Sequence, residues 1–127
     1  MRVFKTRDFV KFARRAILAD AALREAVSQM GRGLVDADLG GGVFKKRVAR
    51  PGGGKSGGFR VLLLFRSGER AVFLDGFAKN ERDSIDAVEL GALRRLAAQL
   101  LSYDETAIEA ALSCGALTEV EGDGEEI

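Results

Sequence analysis

The sequence predicts an α+β domain: an N-terminal strand and a helical hairpin packed on a small, twisted, mainly antiparallel sheet, with helices at the C-terminal end. Three observations carry this expectation. Phe9, Phe12, Ala13 and Ala16 fall at helical spacing within RDFVKFARRA. Three apolar runs, VFKKRVA, FRVLLLF and AVFLDGFA, follow one another across short turns, as hairpin strands do. DAVELGALRRLAAQLLS carries a helix start signal and an apolar stripe.

Taken in order, RVFKT is a short first strand and RDFVKFARRA the first helix. Asp20 is the expected cap of a second helix, AALREAVSQM, which stops at the Gly-Arg-Gly of 31–33. VDADLGGG reads as a loop. In the strand that follows, alternation puts Val43, Lys45, Arg47 and Ala49 on one face and Phe44, Lys46 and Val48 on the other. Asp86 and Glu89 have the spacing of a capping box ahead of a stripe formed by Val88, Leu93, Leu96, Leu100 and Leu101. DETAIEAALS is a last helix. The chain of 127 residues divides into a domain over 1–101, a helical extension over 102–118 and an acidic, disordered tail over 119–127.

Composition narrows the function. The charge-studded start MRVFKTRDFVKFARR lacks the apolar core of a signal peptide, and the run Val61–Phe65 is too short to cross a bilayer. One cysteine, Cys114, permits no internal disulfide and fits a reducing cytoplasm. The absence of histidine removes the commonest general base and the commonest zinc ligand. The net charge of +1 hides an uneven distribution. Five of the 19 acids lie in 119–127, leaving 20 basic residues against 14 acidic ones. Between Val43 and Arg82 stand ten Lys and Arg against three acids, which suits a polyanion-binding surface.

ARPGGGKSGGFRVLLLF, residues 49–65, asks whether that polyanion is a nucleoside triphosphate. Ala49, Gly54, Lys55 and Ser56 fit a relaxed phosphate-loop pattern. Such a loop works because its glycines open directly into a helix whose free N–H groups meet the phosphate. Here two glycines and an aromatic lead into a branched, leucine-rich strand. The reading is therefore rejected in favour of a glycine-rich hairpin that carries Lys55 and arrives at Arg60. Gly57 and Gly58 would let a polymer pass close to the backbone.

FKKRVARPGGGKSGGFRVLLLF, followed by a strand, by GFAKNERDSI and by a helix opening near Glu89, resembles the RelE/HigB-type toxins of bacterial toxin–antitoxin pairs. The matching pieces are the K-x-R of Lys45–Arg47, GKSGGFR at 54–60 and FAKNE at 77–81. The resemblance covers about residues 3–101. It implies a RelE-like fold, with two N-terminal helices on a small antiparallel sheet. It also implies an mRNA endonuclease that works in the ribosomal decoding site without a metal or other cofactor. The implied partners are the ribosome, its mRNA and a small antitoxin, often of helix-turn-helix type; no membrane is involved.

RNA cleavage by the neighbouring 2′-oxygen needs a base for the 2′-proton, an acid for the leaving 5′-oxygen and cations for the crowded phosphorane. Without histidine, lysine and arginine must supply the charge. Arg60 matches the family position after GGF and is assigned to phosphate stabilisation. Lys45 and Arg47 match the basic pair on the neighbouring strand, as holders of the RNA backbone or with the lysine as base. Lys79 matches the lysine of AKNE. Lys46, Lys55, Arg50 and Arg82 are the expected RNA-binding cations, and Glu81 is a possible base or a partner for Lys79. Several relatives carry a catalytic Tyr or His near the C-terminal end; here only Tyr103 is available, and its place is open. Phe77 is assigned to the core, with stacking on a base as its other role. A second function stays open on these residues: a catalytically degenerate module that binds RNA, the ribosome or an antitoxin without cleavage. Cys114 is assigned to packing, since no histidine exists to activate it.

Overall fold

The computed structural model describes residues 1–50, 52, 58–82 and 84–122. Lys55 and the last acids of the tail, 123–127, lie outside the described residues. In chain order the elements are β1 (Arg2–Thr6), α1 (Arg7–Ala16), α2 (Asp20–Gly31), β2 (Ala37–Asp38), β3 (Val43–Val48), β4 (Phe59–Arg66), β5 (Arg70–Ala78), α3 (Ala87–Ser102), α4 (Glu105–Ser113) and β6 (Leu117–Glu119). The strands form one sheet in the order β2-β3-β4-β5-β1-β6. The hairpin connections give the expected antiparallel pairs β3/β4 and β4/β5; Ala37–Asp38, read from the sequence as loop, adds β2 antiparallel to β3, and β6 runs antiparallel to β1. The exception is β1, which lies parallel to β5 because the chain returns to it through a long crossover. The fold is thus α+β with a mixed sheet.

Two cores sandwich the sheet. Phe9, Phe12, Leu23 and Val27 of the first two helices meet Phe59, Val61, Leu63 and Phe73 on one face. Ala97, Leu100 and Ile108 of the last two helices meet Val43, Leu64, Val72 and Leu74 on the other. Strand β4 is apolar on both sides for this reason, which explains its unbroken run VLLLF.

Thr6 caps α1: its hydroxyl accepts the Phe9 N–H at 3.2 Å and donates to the Leu74 carbonyl at 3.0 Å, tying the helix start to β5. Asp86 caps α3 through the Glu89 N–H at 2.8 Å, as its spacing predicts. Asp20 does not cap α2. It is the first helical residue, after Ala19, and its carboxylate is committed elsewhere. Lys5 Nζ lies 2.8 Å from one oxygen, and the Glu121 N–H donates to the other at 2.8 Å.

The chain beyond residue 101 departs furthest from expectation. The α4 helix packs into the second core, and a strand, not a helix, follows it at 117–119. Leu117 and Val120 are both almost fully buried, one in each core. Glu119, expected in a disordered tail, takes the Arg2 guanidinium through two bonds of 2.9 Å. Local composition could not reveal this, because the pairing partner is β1, more than a hundred residues away. A chain ended after Ala116 lacks these two buried side chains, which is expected to cost about 3–6 kcal/mol. A chain ended after Gly122 keeps all of these contacts and is expected to avoid that loss in urea unfolding.

Burial pushes the Asp20 carboxyl up, but Lys5 and the Glu121 N–H outweigh it and hold it below the usual carboxylate range. The Arg2 guanidinium does the same for Glu119. A carboxyl depressed by folding stabilises the native state above its unfolded pKa, and that stabilisation is lost as pH falls through the folded value. Stability is therefore expected to fall on acidification below the ordinary carboxylate range. Asp20→Asn should make that fall shallower in melts recorded against pH.

Candidate functional site

The registers of β3, β4 and β5 place six side chains on one sheet face. Arg47 stands opposite Arg60, and Arg60 opposite Phe77. One step along, Lys45 stands opposite Leu62, and Leu62 opposite Asp75. Directly opposed residues share a face, so these form two adjacent rows across three strands. The next row, Val43 and Leu64, belongs to the core under α3 and α4. The candidate site is the continuation of that apolar face past the edge of the core.

A bulge makes the arrangement possible. The β4/β5 register shifts between Leu62 and Leu63, so that Leu62 faces Asp75 while Leu63 faces Phe73. Leu74 is the extra residue. Strict alternation along AVFLDGFA would put Phe73, Asp75 and Phe77 together. The bulge instead leaves Phe73 in the first core and turns Asp75 and Phe77 to the opposite face.

Arg60 is the central cation. Its side chain is only 9% exposed, and among the described residues its Nη1 is buried with no hydrogen-bond partner. An unpaired buried donor of this kind is costly, on the order of 1–3 kcal/mol. Arg47 is exposed and held by Asp36: its Nε lies 2.7 Å from one carboxylate oxygen, and its backbone N–H donates to the other at 2.6 Å. Burial pushes the Asp36 carboxyl up, but these bonds and the Lys46 charge bring it below the usual range. Arg82 forms a two-bond ion pair with Glu89, at 2.7 and 3.1 Å, and its guanidinium lies over the Phe77 ring at 5.2 Å. Phe77 is buried, as a core residue would be, while standing beside Arg60.

The other residues singled out from the sequence separate. Lys46 is buried and on the opposite face, opposed to Val61 of the first core, so it is not presented beside Arg60. Arg50 lies over the Phe59 ring at 5.0 Å. It borders a groove of about 490 Å³ near the end of α1, with Arg15, Asn80 and Glu81. Glu81 is exposed there, and no Glu81–Lys79 ion pair forms among the described residues. Lys79 is exposed just past β5, where its N–H donates to the Gly58 carbonyl at 3.4 Å. Tyr103 is remote: its carbonyl accepts from Arg70, at the other end of β5 from Phe77. Gly58 has an internal use: a Cβ there would stand 2.3 Å from the Val48 carbonyl oxygen, so its missing side chain lets β3 and β4 close up.

Asp75 is the residue that sequence reasoning missed. Burial pushes its carboxyl up, and the nearby charges of Asp8 and Glu89 add to the shift against the Gly76 N–H and Arg82. The available signal was a carboxylate set inside the apolar strand AVFLDGFA.

Residues 1–120 match the family described as the RelE toxin of the RelE/RelB toxin–antitoxin system. The chain belongs to the RelE toxin family. The match takes in β6 and ends at Val120, the last of the described residues that is buried in the cores. No curated protein matches the chain. Membership makes this RelE-family protein the toxin half of a pair, with an antitoxin as partner. Among the described residues, no helix is long and apolar enough to cross a membrane.

Proposed function

We propose that this RelE-family toxin is an mRNA endonuclease that acts in the decoding site of the ribosome, in the cytoplasm, without a metal. The reading is supported above all by Arg60, a nearly buried guanidinium whose Nη1 has no partner among the described residues and which stands between Arg47 and Phe77. Non-bridging phosphate oxygens satisfy such a group, and it stabilises them most as charge builds on the phosphorane. Lys45 and Arg47 hold the flanking backbone, and Lys55 and Lys79 add cations from the adjoining segments. Transfer of the 2′-oxygen onto phosphorus leaves a 2′,3′-cyclic phosphate and a 5′-hydroxyl. A site so dependent on arginine and lysine needs the ribosome to align the RNA, so free RNA is a poor substrate.

The test is induced expression in a bacterial host, with primer extension along a translated message. Cuts confined to the translated frame support the reading. A folded, abundant protein that neither arrests growth nor cuts would overturn it in favour of the second reading, a module that binds RNA, ribosome or antitoxin without cleavage. The engagement of Arg47 by Asp36 and the remoteness of Tyr103 favour that second reading.

A further inference from the structure

The endonuclease reading leaves the 2′-hydroxyl without an assigned proton acceptor, and the chain has no histidine to serve. Asp36 and Glu89 lie close to the basic face but are held by Arg47 and Arg82, which leaves two other carboxylates near it. Glu81 is exposed and borders the groove by α1. Asp75 stands on the face itself, in the row next to Arg60, with Leu62 directly across from it. Diagonal neighbours on adjacent strands have Cα atoms roughly 7–8 Å apart, within reach of a long side chain. One phosphodiester could therefore place a phosphoryl oxygen on Arg60 and its 2′-hydroxyl toward Asp75.

We propose that Asp75 is the group that accepts the 2′-hydroxyl proton during mRNA cleavage, an inference that rests on the endonuclease reading above. Its carboxylate is half-buried and accepts the N–H of its own neighbour, Gly76, at 2.8 Å. Among the described residues no hydrogen bond or ion pair ties it to a cation, unlike Asp36, which is spent on Arg47, or Glu89, which is spent on Arg82. The charged groups that face it are Asp8 from α1, Glu89 from α3 and Arg82 from the connection between β5 and α3. Lys45 lies across Leu62 in the same row. Burial and the two acids raise the Asp75 pKa above the ordinary aspartate value, which makes its carboxylate a stronger base than an exposed one.

The step balances without a co-reactant beyond water. The 2′-oxygen–phosphorus bond forms, the phosphorus–5′-oxygen bond breaks, and the 2′-proton passes to an Asp75 carboxylate oxygen. Water protonates the leaving 5′-oxygen, and the hydroxide so formed takes the proton from Asp75. The base must be ionised to act. The cleavage rate should therefore rise with pH through a midpoint above the ordinary aspartate range.

The experiment is single-turnover cleavage of mRNA on programmed ribosomes, followed from the carboxylate range to neutrality. Asp75→Asn is expected to cleave about 10²- to 10⁴-fold more slowly and to lose the acid limb of the profile. Its co-sedimentation with ribosomes should be unchanged, a pattern that a merely structural role would not produce. Asp75→Glu should recover part of the rate with a displaced midpoint. An Asp75→Asn protein that cleaves like wild type with the same pH profile overturns the assignment alone, because the endonuclease reading survives. A folded wild type that does not cleave overturns both. If Asp75→Asn fails to fold, Asp75→Glu carries the test: a folded Asp75→Glu that cleaves at the wild-type rate with an unshifted midpoint overturns the proposal, and a slower rate with a displaced midpoint sustains it.

Discussion

Replacing Arg60 by methionine is expected to slow mRNA cleavage severely and relieve growth arrest while leaving the fold as stable as the wild type or more so. The two effects have one cause. Arg60 is nine-tenths buried and its Nη1 has no partner among the described residues, so the folded protein bears a desolvation cost that no internal bond offsets. Methionine fills much of the same volume without a charge. The gain in stability should be on the order of 1 kcal/mol, read from urea unfolding. The loss of rate should be about 10²–10³, the usual effect of removing one group that stabilises transition-state charge. Arg60→Lys keeps the charge but not the planar fork, and should fall between the two. Undiminished cutting by Arg60→Met would refute the role assigned to this side chain. A large loss of stability would refute the claim that its charge is unpaid within the fold.

Gly58→Ala should destabilise the protein by about 2–4 kcal/mol, at the upper end of what overpacking costs. The added Cβ would stand 2.3 Å from the Val48 carbonyl oxygen and 3.1 Å from the Ala49 Cα. Both are backbone atoms, and the Val48–Phe59 pairing holds them in register. The strands would have to separate at the point where Arg47 and Arg60 come together, so activity should fall with stability. Gly31→Ala is the control: it ends α2, and its Cβ would meet nothing within 4 Å. That change should leave the urea midpoint unchanged or raise it slightly. Equal midpoints for the two variants would show that β3 and β4 tolerate separation there.

Much of this molecule can be read locally. The capping of α3 by Asp86, the helical spacing of Phe9 and Phe12, and the hairpin order of β3, β4 and β5 each depend on residues close together in the chain. So does the rejection of a phosphate loop, since FRVLLLF follows the glycines as a strand. Arg60 and the pair Lys45–Arg47 were identified from a family motif and the two-residue period of a strand. The registers of β3 and β4 then bring Arg47 and Arg60 directly opposite each other.

The remainder depends on residues distant in sequence. The carboxylate of Asp20 serves Lys5 and Glu121, partners that no capping rule could supply. Strand alternation already sets Lys46 on the face away from Lys45 and Arg47, but only the packing of the sheet buries it there.

Periodicity and turn chemistry are short-range, and they suffice for the kind and order of most elements and for the basic character of β3 and β4. Pairing across the sheet is long-range. The parallel contact of β1 with β5, the addition of β6 at 117–119 and the bulge at Leu74 arise only when distant strands compete for the same hydrogen bonds and the same core. That bulge turns Asp75 onto the face of Arg60, because a strand's side chains change sides wherever its partner is one residue short.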